Sequence, residues 1–283
     1  MRQLLLVCFL IAFSVELFAQ DDKTPQTITA GFQFSPIFPA AFLKTGDQEV
    51  KNDAFSILVS PKFGFSAGMV IRYGFSKRLA LETGLNFVQR NYDLSINRDS
   101  TAISSPYSSK TDFTIIGYEH PVKLLVFVQL SKKLYMNAAA GLQLTFFPSD
   151  IFTSDEGESG TDRYFKHSSL RTGFDGNSRS GGDSFVSSGA IINLGWEYRT
   201  KKSGYFYLGA TYHVPFTNIY RGTLEYTDET NPIPVETRVQ EIKLNGSYLT
   251  FDIRYFFQSK PIVKKDKKKK RKKKSSQKDS DKN

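Results

Sequence analysis

Cysteine is nearly missing from this chain of 283 residues. Cys8 is the single one, and it lies inside an apolar run, Leu4 to Phe13. A lipoprotein signal would need its cysteine after such a run, so Cys8 reads as a small hydrophobe. Disulfides, thiol catalysis and cysteine-based metal sites are thereby excluded from the rest of the chain. Long apolar runs are also missing. After residue 20 no stretch stays apolar for eighteen residues, which excludes a helical membrane protein. Net charge is scarce over most of the length. Residues 264–283 hold twelve Lys/Arg against Asp266, Asp279 and Asp281, nine of the formal +10, so the remaining 263 residues are close to neutral.

The two ends are compositionally distinct. One positive charge at Arg2, the short apolar run and the sequence Leu17, Phe18, Ala19, Gln20 have the pattern of a secretory signal peptide over residues 1–19. The run is too short for a membrane anchor, which takes about twenty apolar residues. At the other end, residues 259–283 form a like-charge block with no aromatic and no apolar periodicity. Such a block cannot bury enough surface to fold, and composition predicts a disordered basic tail.

Between the ends, apolar residues recur with period two. Phe65, Ala67, Met69, Ile71 and Tyr73 alternate with small or polar residues. Leu79 to Phe87 repeats the pattern, with Glu82, Gly84 and Asn86 on the other face. Met136 to Leu144, Ile192 to Tyr198, Phe206 to Tyr212 and Leu249 to Phe257 follow, and weaker segments run from Ile28 to Phe34 and from Phe113 to Val128. These make eight strands.

A soluble β-sandwich also alternates, but three features favour a membrane barrel. Several segments are long enough to cross a bilayer at a tilt, about nine to eleven residues. Short connections (Gly74–Arg78, Leu130–Lys133, Arg199–Gly204) alternate with long polar ones (Ile37–Lys62, Asp93–Asp112, Pro148–Ser184, Thr217–Asn245). Aromatics such as Tyr73, Phe75, Tyr198, Tyr205 and Phe257 sit near strand ends, where they form interfacial girdles. Because hydrocarbon satisfies no backbone hydrogen bonds, a sheet in it must close on itself. The expectation is an all-β fold over residues 20–258: an eight-stranded antiparallel transmembrane β-barrel with long extracellular loops and both mature termini in the periplasm.

With the apolar phase facing lipid, Ser66, Arg72, Glu82, Asn86, Lys123, Asn137, Gln143, Asn193, Glu197, Thr250, Asp252 and Arg254 point inward. An eight-stranded lumen is only wide enough for side chains to fill. The charged members are expected to pair across it, making a plug rather than a channel.

Around Glu119, Pro121 and Lys123 in the fourth strand the chain resembles the small outer-membrane β-barrel family of the Bacteroidota, sometimes labelled PorT-like. The basic turn Lys132, Lys133, the following Gly141 and Leu142, and the segment Leu79 to Leu85 carry the same resemblance, and the signal end Ala19, Gln20 suits those bacteria. The resemblance spans about residues 27 to 257. It implies an outer-membrane barrel, and the family label implies a role in protein secretion. Pro121, which lacks a ladder donor, is expected to mark a bulge or bend.

Candidate chemistry is thin. His213, near the outer end of the seventh strand, could act as the base of a rim Ser/His lipid-modifying site, with Ser184, Ser187 or Ser188 as nucleophile, but no spacing selects one serine. Asp150, Asp155, Glu156, Glu158, Asp162, Asp175 and Asp183 crowd the third long loop without the fixed ligand spacing of a Ca²⁺ site. No catalytic, cofactor or metal residue is therefore expected. Export removes nucleic acid as a partner for the tail and leaves outer-membrane lipid, acidic envelope proteins or cell wall. The expected role is a non-enzymatic envelope anchor or accessory component of a secretion or assembly complex, with a lipid-modifying enzyme as the alternative.

Overall fold

A computed structural model describes residues 27–39, 48–52, 55–98, 107–148, 163–171, 186–200, 203–228 and 238–258. Its strands in chain order are β1 (Thr27–Phe38), β2 (Gln48–Asn52), β3 (Phe55–Pro61), β4 (Gly64–Gly74), β5 (Leu79–Arg98), β6 (Tyr107–Gln129), β7 (Leu134–Phe146), β8 (Arg163–Arg171), β9 (Val186–Arg199), β10 (Tyr205–Pro215), β11 (Tyr220–Asp228), β12 (Arg238–Leu244) and β13 (Tyr248–Phe256). Among the described residues there is no helix.

Eight of these strands close a ring. The order β5, β4, β1, β13, β10, β9, β7, β6 is antiparallel at every step, and β6 returns to β5. They are the eight strands expected from alternation, and the ring leaves the barrel wall without an edge. Both described chain ends lie at the short-turn end, where Thr27 pairs with Gly74 and the Phe257 amide donates to the Ala30 carbonyl at 2.8 Å.

The outward phase is apolar and exposed. Leu142 is 62 % exposed, Ile192 61 %, Met69 57 % and Trp196 51 %. A band of this size on a folded surface needs an apolar solvent, which the bilayer supplies. Rings cluster along it, as in the edge-to-face pairs Phe32–Phe257 and Tyr73–Phe75.

The long connections depart from expectation. β5 and β6 stay paired out to Arg98 and Tyr107, so most of Asp93–Asp112 is strand rather than polar loop. β3 adds to the outer part of β5, and β2 adds to β3. β8, β11 and β12 form a separate three-stranded sheet from the third and fourth connections. Bilayer thickness sets the minimum length of these strands, not where they stop. Leu94, Ile57, Val59, Phe113 and Ile115 continue the alternation past it. Together with Phe147, Ile219, Tyr220 and Leu244 they are buried beyond the lumen as an apolar cap. Tyr92 stacks on Phe113 at 5.2 Å, and Phe113 on Tyr220 at 5.0 Å.

Pro121 is a second departure. The β5–β6 register is the same on both sides of it, so there is no bulge; instead the pairs opposite Gly84 and Leu85 are missing from the ladder. Proline offers no N–H toward β5. Two side chains cover the gap: the Thr83 hydroxyl donates to the Pro121 carbonyl at 2.9 Å, and His120 Nδ1 lies 2.8 Å from the Gly84 carbonyl. Since a carbonyl only accepts, Nδ1 carries the proton there. The segments read as leader (1–19) and basic tail (259–283) lie outside the described residues.

Candidate functional site

All twelve residues expected to point inward are buried. Alternation on eight converging strands leaves them no other place, and burial of so many charges requires that each find a partner.

Glu82 on β5 is the hub. Its carboxylate accepts from Arg72 Nη2 at 2.9 Å and Nε at 3.1 Å, from Lys123 Nζ at 2.7 Å and from Arg254 Nη1 at 2.7 Å. Arg72 also donates to Glu197, which takes a second bond from Arg199 Nε at 2.5 Å. Arg254 Nη2 donates to Asp252 at 2.5 Å. Asp252 is further held by the Thr250 hydroxyl at 2.8 Å, by Asn193 Nδ2 at 3.1 Å and by the Thr211 hydroxyl. Tyr207 donates to Asn193 Oδ1 at 2.8 Å. The network ties β4, β5, β6, β9, β10 and β13 across the lumen. Arg72, Lys123 and Arg254 balance Glu82, Glu197 and Asp252, so the buried charge sums to zero.

Tyr207 fits because two lumen-facing residues on its flanks are glycine. A Cβ at Gly195 or Gly209 would lie 2.3 or 2.1 Å from the tyrosine oxygen. Toward the short turns, Ala80, Leu125, Phe127 and Ala139 make an apolar floor, and Arg72 lies 4.0 Å from the Phe256 ring centre.

A second polar cluster was not anticipated as a unit. Nearer the long loops, Arg90 bonds Glu119 at 3.2 Å and the Gly246 carbonyl at 3.0 Å. Tyr248 donates to Glu119 at 2.7 Å. His213 belongs here, not at an exposed rim. It is 9 % exposed, its Nδ1 is 2.7 Å from Gln143 Oε1, and its ring stacks on Tyr248 at 4.1 Å. The expected rim position is corrected by strand phase: Tyr207, Gly209, Thr211 and His213 share the inward face of β10. Of the serines considered with it, Ser187 is buried in the lumen wall, Ser188 is on the opposite face of β9, and Ser184 lies outside the described residues. The structure brings no Ser/His pair together among the described residues. The acidic residues of the third loop also lie outside them.

Beyond the lumen the charges sit differently. Lys62 bridges Asp93 at 2.8 Å and Asp112 at 3.0 Å, and Lys110 reaches Asp93 at 2.9 Å. Partial burial opposes ionisation of Asp93, but the hydrogen bonds from Lys62 and Lys110 and the charge of Lys110 win and hold its carboxyl below the usual range. The same two acids raise Lys62. These contacts clip β3 to the outer hairpin of β5 and β6.

A closed antiparallel ring with an apolar exterior, a charge-balanced interior and no free sheet edge in its wall is an integral β-barrel of the outer-membrane type. The chain belongs to the outer membrane protein beta-barrel domain family, whose model matches residues 18–221, and its location is the outer membrane. No curated protein matches it. Ten chains of solved structure do. One is the outer membrane protease OmpT from Escherichia coli, at 9 % identity over 83 % of this chain and 94 % of that one, with a TM-score of 0.29. At that score the likeness carries no argument about chemistry.

Proposed function

We propose that this protein is a non-enzymatic outer-membrane barrel that anchors or assists an envelope assembly. The observation that carries the reading is the filled lumen, where ion pairs from five strands occupy the interior. With the inside committed to structure, contacts fall to the strand-built extension at the long-loop end and to the basic tail. Short turns on the periplasmic side and long loops outside are the general topology of bacterial barrels. On that topology, residues 1–19 are the export signal, both mature ends are periplasmic, and the tail meets phospholipid headgroups, acidic envelope proteins or cell wall. The resemblance around Glu119, Pro121 and Lys123 points to the PorT-like barrels of the Bacteroidota, and through them to a secretion complex.

The test is affinity purification of the tagged protein from gently solubilised outer membranes, with bound proteins quantified. A stoichiometric envelope partner is the expected result. Recovery of the barrel alone would count against the anchor and return attention to lipid modification. There, a His213→Ala strain with an altered lipid A profile would favour the enzyme reading.

A further inference from the structure

We infer that a recess at the long-loop end of the barrel, where β1 stops, binds a neutral amphiphile that ends in a compact carbonyl group. The recess follows from strand pairing. β1 pairs with β4 as far as Ile37 opposite Gly64, and Phe38 is its last residue. Beyond that point β3 pairs with β2 and β5, and β1 takes no part. Ile37, Phe38, Val59, Pro61 and Leu244 give the recess apolar walls, and Arg90 and Tyr248 complete its lining.

Arg90 supplies the recognition. It is 3 % exposed. Its Nη1 donates to the Gly246 carbonyl at 3.0 Å and its Nη2 to Glu119 at 3.2 Å, while its Nε has no hydrogen-bond partner. Those two acceptors and the Tyr248 ring, 4.6 Å from the guanidinium carbon, fix the side chain. A buried donor held in place without an acceptor is costly, and a ligand that brings the acceptor removes the cost.

Size and charge define the ligand. The cavity volume is about 30 Å³. A single water needs about 10–15 Å³, so the recess takes a head of a few heavy atoms and the rest leaves by the mouth. Arg90 is balanced by Glu119, and Lys62, the other cation of the lining, already bridges Asp93 and Asp112. A carboxylate would enter as a surplus charge beside Glu119, and its desolvation outweighs one hydrogen bond. A neutral carbonyl accepts from Nε without that penalty. Water is the poorer occupant, because it needs two to four polar partners and these walls are apolar. The mouth opens toward lipid. Phe38 packs edge-to-face on the exposed Phe63 at 5.3 Å, and Phe34, Phe65 and Phe87 continue the row across neighbouring strands. Rows of this kind mark a membrane interface, where neutral amphiphiles gather.

The full chain is reconstituted in lipid vesicles with a fatty methyl ester carrying a photoreactive diazirine beside its carbonyl, and labelled residues are mapped by mass spectrometry. Labelling is expected on the residues that line the recess, above a background along the lipid-facing band. Methyl octanoate should displace the recess labelling at about one tenth of the membrane concentration that octane requires, since a hydrogen bond from a charged donor supports that much. Octanoate should compete less well than the ester. Ser247 also lines the recess, and Ser247→Trp should fill it, removing the recess labelling and leaving the band unchanged.

Labelling confined to the band overturns the proposal and leaves the recess to water. So does octane competing as well as the ester, which would make the recess a plain apolar slot. Better competition by octanoate would make it an anion site and overturns the neutral ligand, and recess labelling that survives Ser247→Trp overturns the location. Should that variant fail the heat-modifiability test of folding, Pro61→Trp fills the recess from another wall, and the competition series on the wild type needs no variant.

Discussion

Replacing Glu82 by leucine would leave Arg72, Lys123 and Arg254 facing one another with their common anion removed. Breaking a buried pair costs about 3–5 kcal/mol because the remaining charge stays buried, and here three charges remain. Glu82→Leu should therefore lower stability by at least that amount, read from urea unfolding in lipid vesicles. A loss below about 1 kcal/mol would mean that the lumen admits water or counter-ions freely. At this scale the sequence was most readable. Period two placed Glu82, Arg72 and Arg254 inside, and burial of that many charges in so narrow a lumen demanded pairing. Arg90, His213 and Tyr248 were legible by the same rule but lay just beyond the limits assigned to their strands, while Glu119, inside the segment Phe113 to Val128, shares the inward phase of Lys123. Arg90 follows the expected end of its strand at Phe87 while keeping its phase. His213 drew attention for chemistry when its phase already placed it inside.

At the scale of the strand, Pro121 shows how a ladder tolerates a missing donor without changing register. His120 faces outward and supplies the proton that Pro121 cannot, to the carbonyl of Gly84. In hydrocarbon no water replaces it. His120→Ala should cost about 1–3 kcal/mol, the penalty of an unsatisfied polar group. In a Pro121→Ala background, where a backbone N–H is restored, the same change should cost close to nothing. Equal costs in both backgrounds, measured as a double-mutant cycle, would show that the imidazole does not serve the ladder. The sequence marked the position correctly and predicted the wrong remedy. A bulge is one response to a missing donor, and a neighbouring side chain of suitable reach is another; only the structure distinguishes them. The strands that extend past the membrane were missed for a related reason. A length rule drawn from the bilayer has nothing to say about pairing that continues in water, although Leu94, Ile57 and Val59 keep the alternation.

For the whole molecule, closure of the wall and closure of the lumen are consequences of one alternation. The residues that solvate the outside in lipid leave their neighbours to solvate one another inside, and eight strands leave no width for both side chains and a water column. Ala80, Leu125, Phe127 and Ala139 block one end, the ion pairs hold the middle, and Ile37, Val88 and Tyr248 pack above them. The protein reconstituted in a planar bilayer should therefore show no stepwise conductance at moderate voltage. Moving any charged member of the network costs a neighbour its partner, so opening cannot proceed one side chain at a time. Regular conductance steps from the wild type would require a second arrangement of Arg72, Glu82, Lys123 and Arg254 that clears a continuous path. The same steps should then disappear when Glu82 and Arg254 are both replaced by leucine, which refills the axis with apolar volume.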